Sequence, residues 1–322
     1  MYHLQPQDEN PQNTDNNIKT PVNNAPMQKR YGFFGIWGPV IIKMLISYGV
    51  ILMAQFIAGY LYGLNHYDEA LAATSGGDAF TNFSVSIAEY GSKFIIANAV
   101  AIEGISAVIT IIVAGLWFLQ DKKKAALYEQ KSETIKEPLW KYMGIVILSI
   151  ALCLGLNNII ILSGLDQASS TWQDVASAIY DSSFFLQIAV IAILAPLCEE
   201  LVFRGLVFRR IKERSGYIYA ALFSSAVFGI THLNWVQAVY GFIVGFVFTY
   251  LYEKFKSFAA PVIAHIAINL SALVMTKYEV ITSLMENRTW FSIVTILCAT
   301  IAATIFVWVR GFNMPENSQT NI

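Results

Sequence analysis

The chain has 322 residues, of which 56% are hydrophobic and 13% charged, and its formal net charge is −1. The charged fraction is about half that of a soluble globular domain, which points to a membrane protein. The near-neutral balance carries no message about nucleic acid, and without a basic block interleaved with aromatics no nucleic-acid partner is expected.

Residues 1–28 are rich in Asn, Gln and Pro, with Pro6, Pro11, Pro21 and Pro26 spread along them. Such a segment buries too little apolar surface to offset its ordering entropy, so it reads as a disordered cytoplasmic tail. It lacks the charged start and short apolar stretch of a signal peptide. Beyond it, hydropathy marks eight stretches of the length a bilayer requires. They are Phe33–Leu64, Phe94–Leu119, Trp140–Leu162, Phe184–Phe208, Tyr217–Leu233, Val236–Tyr252, Phe258–Thr276 and Phe291–Val309. The fold expected is therefore all-α, a polytopic bundle of about eight transmembrane helices. Residues 29–180 form an N-terminal set of three spans, 181–276 a core, and 277–322 the last span with a cytoplasmic C-terminus.

Lys and Arg alternate between loops. Lys29 and Arg30 precede span one, and Lys122, Lys123, Lys124, Lys131 and Lys136 follow span two. Arg209, Arg210, Lys212 and Arg214 follow span four, and Lys254 and Lys256 follow span six. The intervening loops carry Asp68, Glu69, Asp78, Asp166, Asp174 and Asp181. Cytoplasmic loops hold the excess of Lys and Arg, so both termini are expected in the cytoplasm.

Span four contains Glu199, Glu200 and Arg204 within an otherwise apolar run. A charge at the centre of a membrane helix costs about 2.5–3.5 kcal/mol on insertion scales, so such residues are paired and mark functional sites. Glu200 and Arg204 are i,i+4 neighbours, the spacing at which helical ion pairs meet. Glu199 lies about 100° further round the helix and is left to another task. Pro196, three residues earlier, opens or kinks the backbone there.

Two of the four histidines fall in predicted spans, His232 in the fifth and His265 in the seventh. Asn269 follows His265 at i+4, on the same helical face. Counted along the helices, Glu199, His265 and Asn269 fit one depth and His232 lies somewhat deeper. A carboxylate, imidazoles and an amide in a dry pocket suit amide hydrolysis. Glu199 acts as general base on water, a histidine positions that water or carries its proton, and Asn269 with His265 donates to the oxyanion. No cofactor is required in this reading. A variant places zinc on Glu199, His232 and His265, although the HExxH helix is absent. Cys153, Cys198 and Cys298 have no paired spacing and read as core cysteines. Cys198 as a nucleophile is disfavoured, because neighbouring carboxylates oppose a thiolate. Lys43 and Glu103 read as a structural pair, and Gly241 with Gly245 as a close-packing face.

The strings Glu199-Glu200-Leu-Val-Phe-Arg204, Phe228-Gly-Ile-Thr-His232 and His265-Ile-Ala-Ile-Asn269 together resemble the EExxxR, FxxxH and HxxxN motifs of the CPBP family. These are the CAAX-processing and bacteriocin-processing intramembrane proteases, also called the Abi family. The resemblance covers Phe184–Thr276 and implies a CAAX-protease-like core in 181–276. It implies a glutamate-type intramembrane endopeptidase, a group also described as metalloproteases. Glu199 and His232 would activate water, His265 and Asn269 would hold the oxyanion, and Glu200 and Arg204 would be structural. The substrate expected is a peptide or lipidated protein tail near the cytoplasmic leaflet of a bacterial membrane, with lipids as the surrounding partner. Two other classes stand beside it: a non-catalytic scaffold or immunity protein with the same fold, and a transporter relaying protons through the carboxylates.

Overall fold

The computed structural model describes residues 31–128, 138–165 and 180–312; the predicted tail at 1–28 lies outside them. Among the described residues the chain is helical throughout. The helices are α1 (Phe33–Asn65), α2 (Tyr67–Ala73), α3 (Gly77–Ala97), α4 (Ala99–Tyr128) and α5 (Leu139–Leu162), followed by the continuous α6 (Phe184–Ser215). After these come α7 (Tyr217–Ile230), α8 (Trp235–Phe255), α9 (Ala259–Lys277), α10 (Val280–Met285) and α11 (Arg288–Arg310).

Seven of them are long and apolar enough to cross a membrane. The expected fifth span falls short: α7 has 14 residues, a rise of about 21 Å. It stops at Ile230 because Asn234 opens the next helix, its side chain accepting from the N–H groups of Val236 and Gln237 at 2.9 and 3.3 Å. The expected second span is also displaced. Asn98, at φ −115°, separates α3 from α4, and its side chain folds back onto the Phe94 carbonyl. Phe94 therefore belongs to α3, a helix that hydropathy alone missed.

Long side chains such as Leu45, Leu52, Phe56, Ile112, Leu116, Ile296 and Val307 are exposed, an apolar belt suited to lipid and not to water. The interior holds two large packed cores and a smaller cluster at Leu148, Ala151 and Ala302. One joins α1, α4, α6 and α7 through Val40, Phe118, Phe203, Leu206, Phe208 and Phe228. The other joins α5, α8, α9 and α11 through Ile145, Phe248, Leu251, Ile268 and Val309. Helix α6 is the axis; every residue from Leu201 to Phe208 is buried.

One end of the bundle is tied by charge. Arg210 Nε donates to Asp121 Oδ2 at 2.7 Å and its guanidinium reaches the Gly35 carbonyl at 2.5 Å, linking α6 to α4 and α1. Glu253 of α8 accepts from Lys212 at 2.7 Å and from Lys256. This cationic end also carries Arg209 and Lys254. At the other end, α7 and α8 form a hairpin with very close backbones. A Cβ on Gly229 would meet the Ala238 carbonyl oxygen at 2.3 Å, and one on Gly241 would meet Gly229 Cα at 3.1 Å. Only glycine fits such an approach, the expected use of the Gly241–Gly245 face.

Candidate active site

Helix α6 does not keep one register. Ile188–Leu194 and Leu201–Phe208 are π-helical, flanking the α-helical Ala195–Glu200 that carries Pro196, Glu199 and Glu200. Such wide turns concentrate at functional sites. At the first junction the N–H of Ala195 donates to the Val190 carbonyl, five residues back. One residue on, the same register would ask Pro196 to donate to the Ile191 carbonyl, and proline has no N–H. Asn269 of α9 donates instead, its Nδ2 lying 2.8 Å from that carbonyl oxygen.

The adjacent glutamates divide as their angular offset predicts. The Glu200 side chain is 0% exposed, and its Oε1 accepts from Arg204 at 2.8 Å and from His265 Nδ1 at 2.9 Å. Arg204 also donates to the Gly245 carbonyl at 2.9 Å. Its guanidinium lies over the Phe228 ring at 4.6 Å and near Phe248 at 5.2 Å. The Glu199 side chain is 17% exposed, and its Oε2 sits 3.7 Å from His265 Nε2. Glu200 is thus more than a structural brace. By accepting from Nδ1 it fixes the ring of His265 so that Nε2 points toward Glu199.

His232 is not inside a helix, contrary to its expected place in span five. It lies in the turn after α7, where its Nδ1 is 3.0 Å from the Phe228 carbonyl oxygen. A carbonyl only accepts, so Nδ1 carries a proton, and in the neutral ring Nε2 keeps its lone pair. The Phe228 ring stands edge-on to both imidazoles, at 5.1 Å from His232 and 5.7 Å from His265.

Glu199, His232, His265 and Asn269 line one cavity of about 610 Å³. The structure therefore brings together the four residues singled out for chemistry, with Glu200 and Arg204 directly behind them. Lys43 of α1 and Glu103 of α4 also line it, and both interact electrostatically with Glu199. Their sequence reading as a purely structural pair is too narrow, because they form part of the cavity wall. Asn157, Tyr180, Thr231, Gln237, Tyr240 and Thr276 are further polar lining residues that sequence reasoning missed. No motif marks them, since isolated polar residues in apolar helices look alike until the packing is known. Cys198 is buried and is not among the cavity-lining residues.

Among the described residues no three His, Cys, Asp or Glu side chains are grouped to hold a metal ion; His265 gives Nδ1 to Glu200 and keeps Nε2 for another partner.

Residues 181–271 match the family described as type II CAAX prenyl endopeptidase Rce1-like, close to the stretch marked by the three motifs. The chain is 31% identical over 103 residues to the "Putative membrane peptidase YdiL" of Bacillus subtilis (strain 168), 32% of this chain and 42% of that protein. It is 26% identical over 142 residues to the "UPF0177 protein YxdF" of Lactococcus lactis subsp. lactis (strain IL1403), 44% of this chain and 77% of that protein. The chain thus spans under half the length of the Bacillus relative. No solved structure matches. Residues 181–271, whose three motifs contribute Glu199, His232, His265 and Asn269 to one cavity, are thus similar to the CAAX-type membrane peptidases of the CPBP family.

Proposed function

We propose that this protein is an intramembrane endopeptidase in which Glu199 activates water against a peptide bond. The observation that carries the reading is the unequal fate of two neighbouring carboxylates. Glu200 is sealed and doubly hydrogen-bonded, while Glu199 faces a polar-lined cavity beside His265. A carboxylate that makes no direct hydrogen bond to a guanidinium can take a proton; one bound to Arg204 cannot do so without breaking a buried pair.

In this mechanism Glu199 accepts a proton from water as its oxygen attacks the carbonyl carbon of the peptide. His232 accepts from the same water through Nε2 and fixes its direction. The developing oxyanion takes a hydrogen bond from the second amide hydrogen of Asn269, the first being held by Ile191. His265 Nε2 adds another when the ring carries both protons, because Nδ1–H is occupied by Glu200. Glu199 then returns its proton to the leaving amine as the C–N bond breaks. Oxyanion donors in water-poor sites supply a large part of such rate enhancements.

The test compares membrane and secreted peptides, by mass spectrometry, from cells carrying wild-type protein, Glu199→Gln or His265→Ala. Cleavage products present in wild type and absent in both variants, at equal membrane abundance, are the expected result. Products that persist with Glu199→Gln sink the mechanism, and identical peptides in all three favour a non-catalytic scaffold. Metal analysis of the purified protein with chelator controls tests the metal-free reading.

A further inference from the structure

We infer that the cavity takes its peptide from the end of the bundle opposite the cationic loops, which is the extracytoplasmic side if those loops face the cytoplasm. This inference rests on the peptidase reading of Glu199 and on the positive-inside orientation. It names a substrate class: exported peptides, or outward-facing segments of membrane-anchored proteins, in place of cytoplasmic lipidated tails.

The cavity is one-sided. Its lining begins at Glu199, Lys43 and Glu103 and runs through Ala272 to Thr276 and Tyr180, at the far end of α9 and the approach to α6. Thr276 is exposed and Tyr180 is 39% exposed. The α7–α8 turn with Thr231 and His232 belongs to the same half. Toward the cationic end the bundle closes. Ten residues separate Glu199 from Arg209, a rise of about 15 Å. Phe203, Leu206, Val207 and Phe208 fill that interval at 0% exposure, with Phe118 and Val40 packed around them. Below lies the Arg210–Asp121 pair, both partners buried. A peptide arriving from that end would have to displace an apolar plug and break a buried ion pair. From the other end it meets hydroxyl and amide groups, among them the Thr276–Tyr180 hydrogen bond at 3.0 Å, which can exchange for bonds to a peptide backbone.

The native cysteines are buried, so single added cysteines can be read by thiol labelling. A membrane-impermeant maleimide applied to intact cells is expected to label Ala272→Cys and Thr276→Cys well above wild type. Lys123→Cys, on the cationic end, is expected to label only after permeabilisation. Gln237→Cys serves as a second cavity position if Ala272→Cys fails to accumulate. The inference is overturned if the cavity cysteines label from inside-out vesicles but not from intact cells, or from neither side. Labelling of Lys123→Cys from outside overturns it as well, through the orientation. Failure of the peptidase reading shows separately, as unchanged peptides with Glu199→Gln, while the labelling pattern stands.

Discussion

Substituting Asn269 tests the helix break and the chemistry together. In Asn269→Ala the Ile191 carbonyl loses its donor, because the residue that would supply it along the helix is Pro196. An orphaned polar group costs about 1–3 kcal/mol, and the lower part of that range applies to a bond that is only part-buried. Pro196→Ala restores a backbone N–H at the break. In that background the carbonyl has an intrahelical partner, so the same Asn269→Ala substitution should cost roughly 1 kcal/mol less, a coupling within the range measured for contacting residues. Thermal unfolding of the detergent-purified single and double variants measures both costs. Peptide cleavage gives a second readout: Asn269→Ala should lose activity in either background, because the oxyanion donor is gone in both. Equal stability costs with and without Pro196 would refute the reasoning, since Asn269 would then not stand in for the missing N–H. Activity rescued along with stability would refute the oxyanion role.

Arg204→Ala leaves Glu200 buried with one partner fewer; breaking a buried pair costs about 3–5 kcal/mol, and membrane abundance on immunoblots should fall sharply, whereas wild-type abundance contradicts the brace. Gly229→Ala would push a Cβ to 2.3 Å from the Ala238 oxygen, so its melting temperature should fall, while Gly38→Ala in α1, with open space around it, should be neutral or slightly stabilising. Lys43→Met removes a cation that interacts with both Glu103 and Glu199. It should lower peptide cleavage per molecule of protein in the membrane, and adding Glu103→Gln should restore part of the rate by removing one of two like charges; an unchanged rate per molecule in Lys43→Met leaves Lys43 without a role.

Much of the site was legible because its chemistry is expressed in helical spacing. Glu200 and Arg204 at i,i+4 had to meet, Glu199 had to turn away, and His265 with Asn269 had to share a face. The depth mismatch of His232 was legible as well, but its cause was not. Hydropathy continues through Leu233, whereas the helix ends at Ile230 because Asn234 caps the next one. Composition also hides register: a π-turn uses the same apolar residues as an α-turn, so the two wide segments of α6 leave no pattern to read. Lys43 and Glu103 were visible as buried charges, yet their neighbours are set by how α1 and α4 pack on α6. The Asp121–Arg210 pair joins residues far apart in sequence and leaves no spacing to read for the same reason.

The register of α6 also explains why two glutamates must be adjacent. One carboxylate bound to Arg204 on its own helix and to His265 on α9 fixes the distance between α6 and α9, and through the Gly245 carbonyl it fixes α8 too. That lock positions the imidazole, and a neutralised carboxylate can do it. The second glutamate needs the opposite treatment, an open side and no hydrogen-bonded guanidinium. Consecutive positions on a helix provide both within one turn, since they differ by about 100° in direction and 1.5 Å in height. Asn269 repeats the economy on α9. One amide hydrogen holds the break at Pro196, and the other remains for the cavity. In the proposed mechanism stability and chemistry therefore share the same contacts, so substitutions at Glu200, Arg204 and Asn269 should lower abundance and activity together. Glu199, alone of the polar residues on this stretch of α6, should separate them.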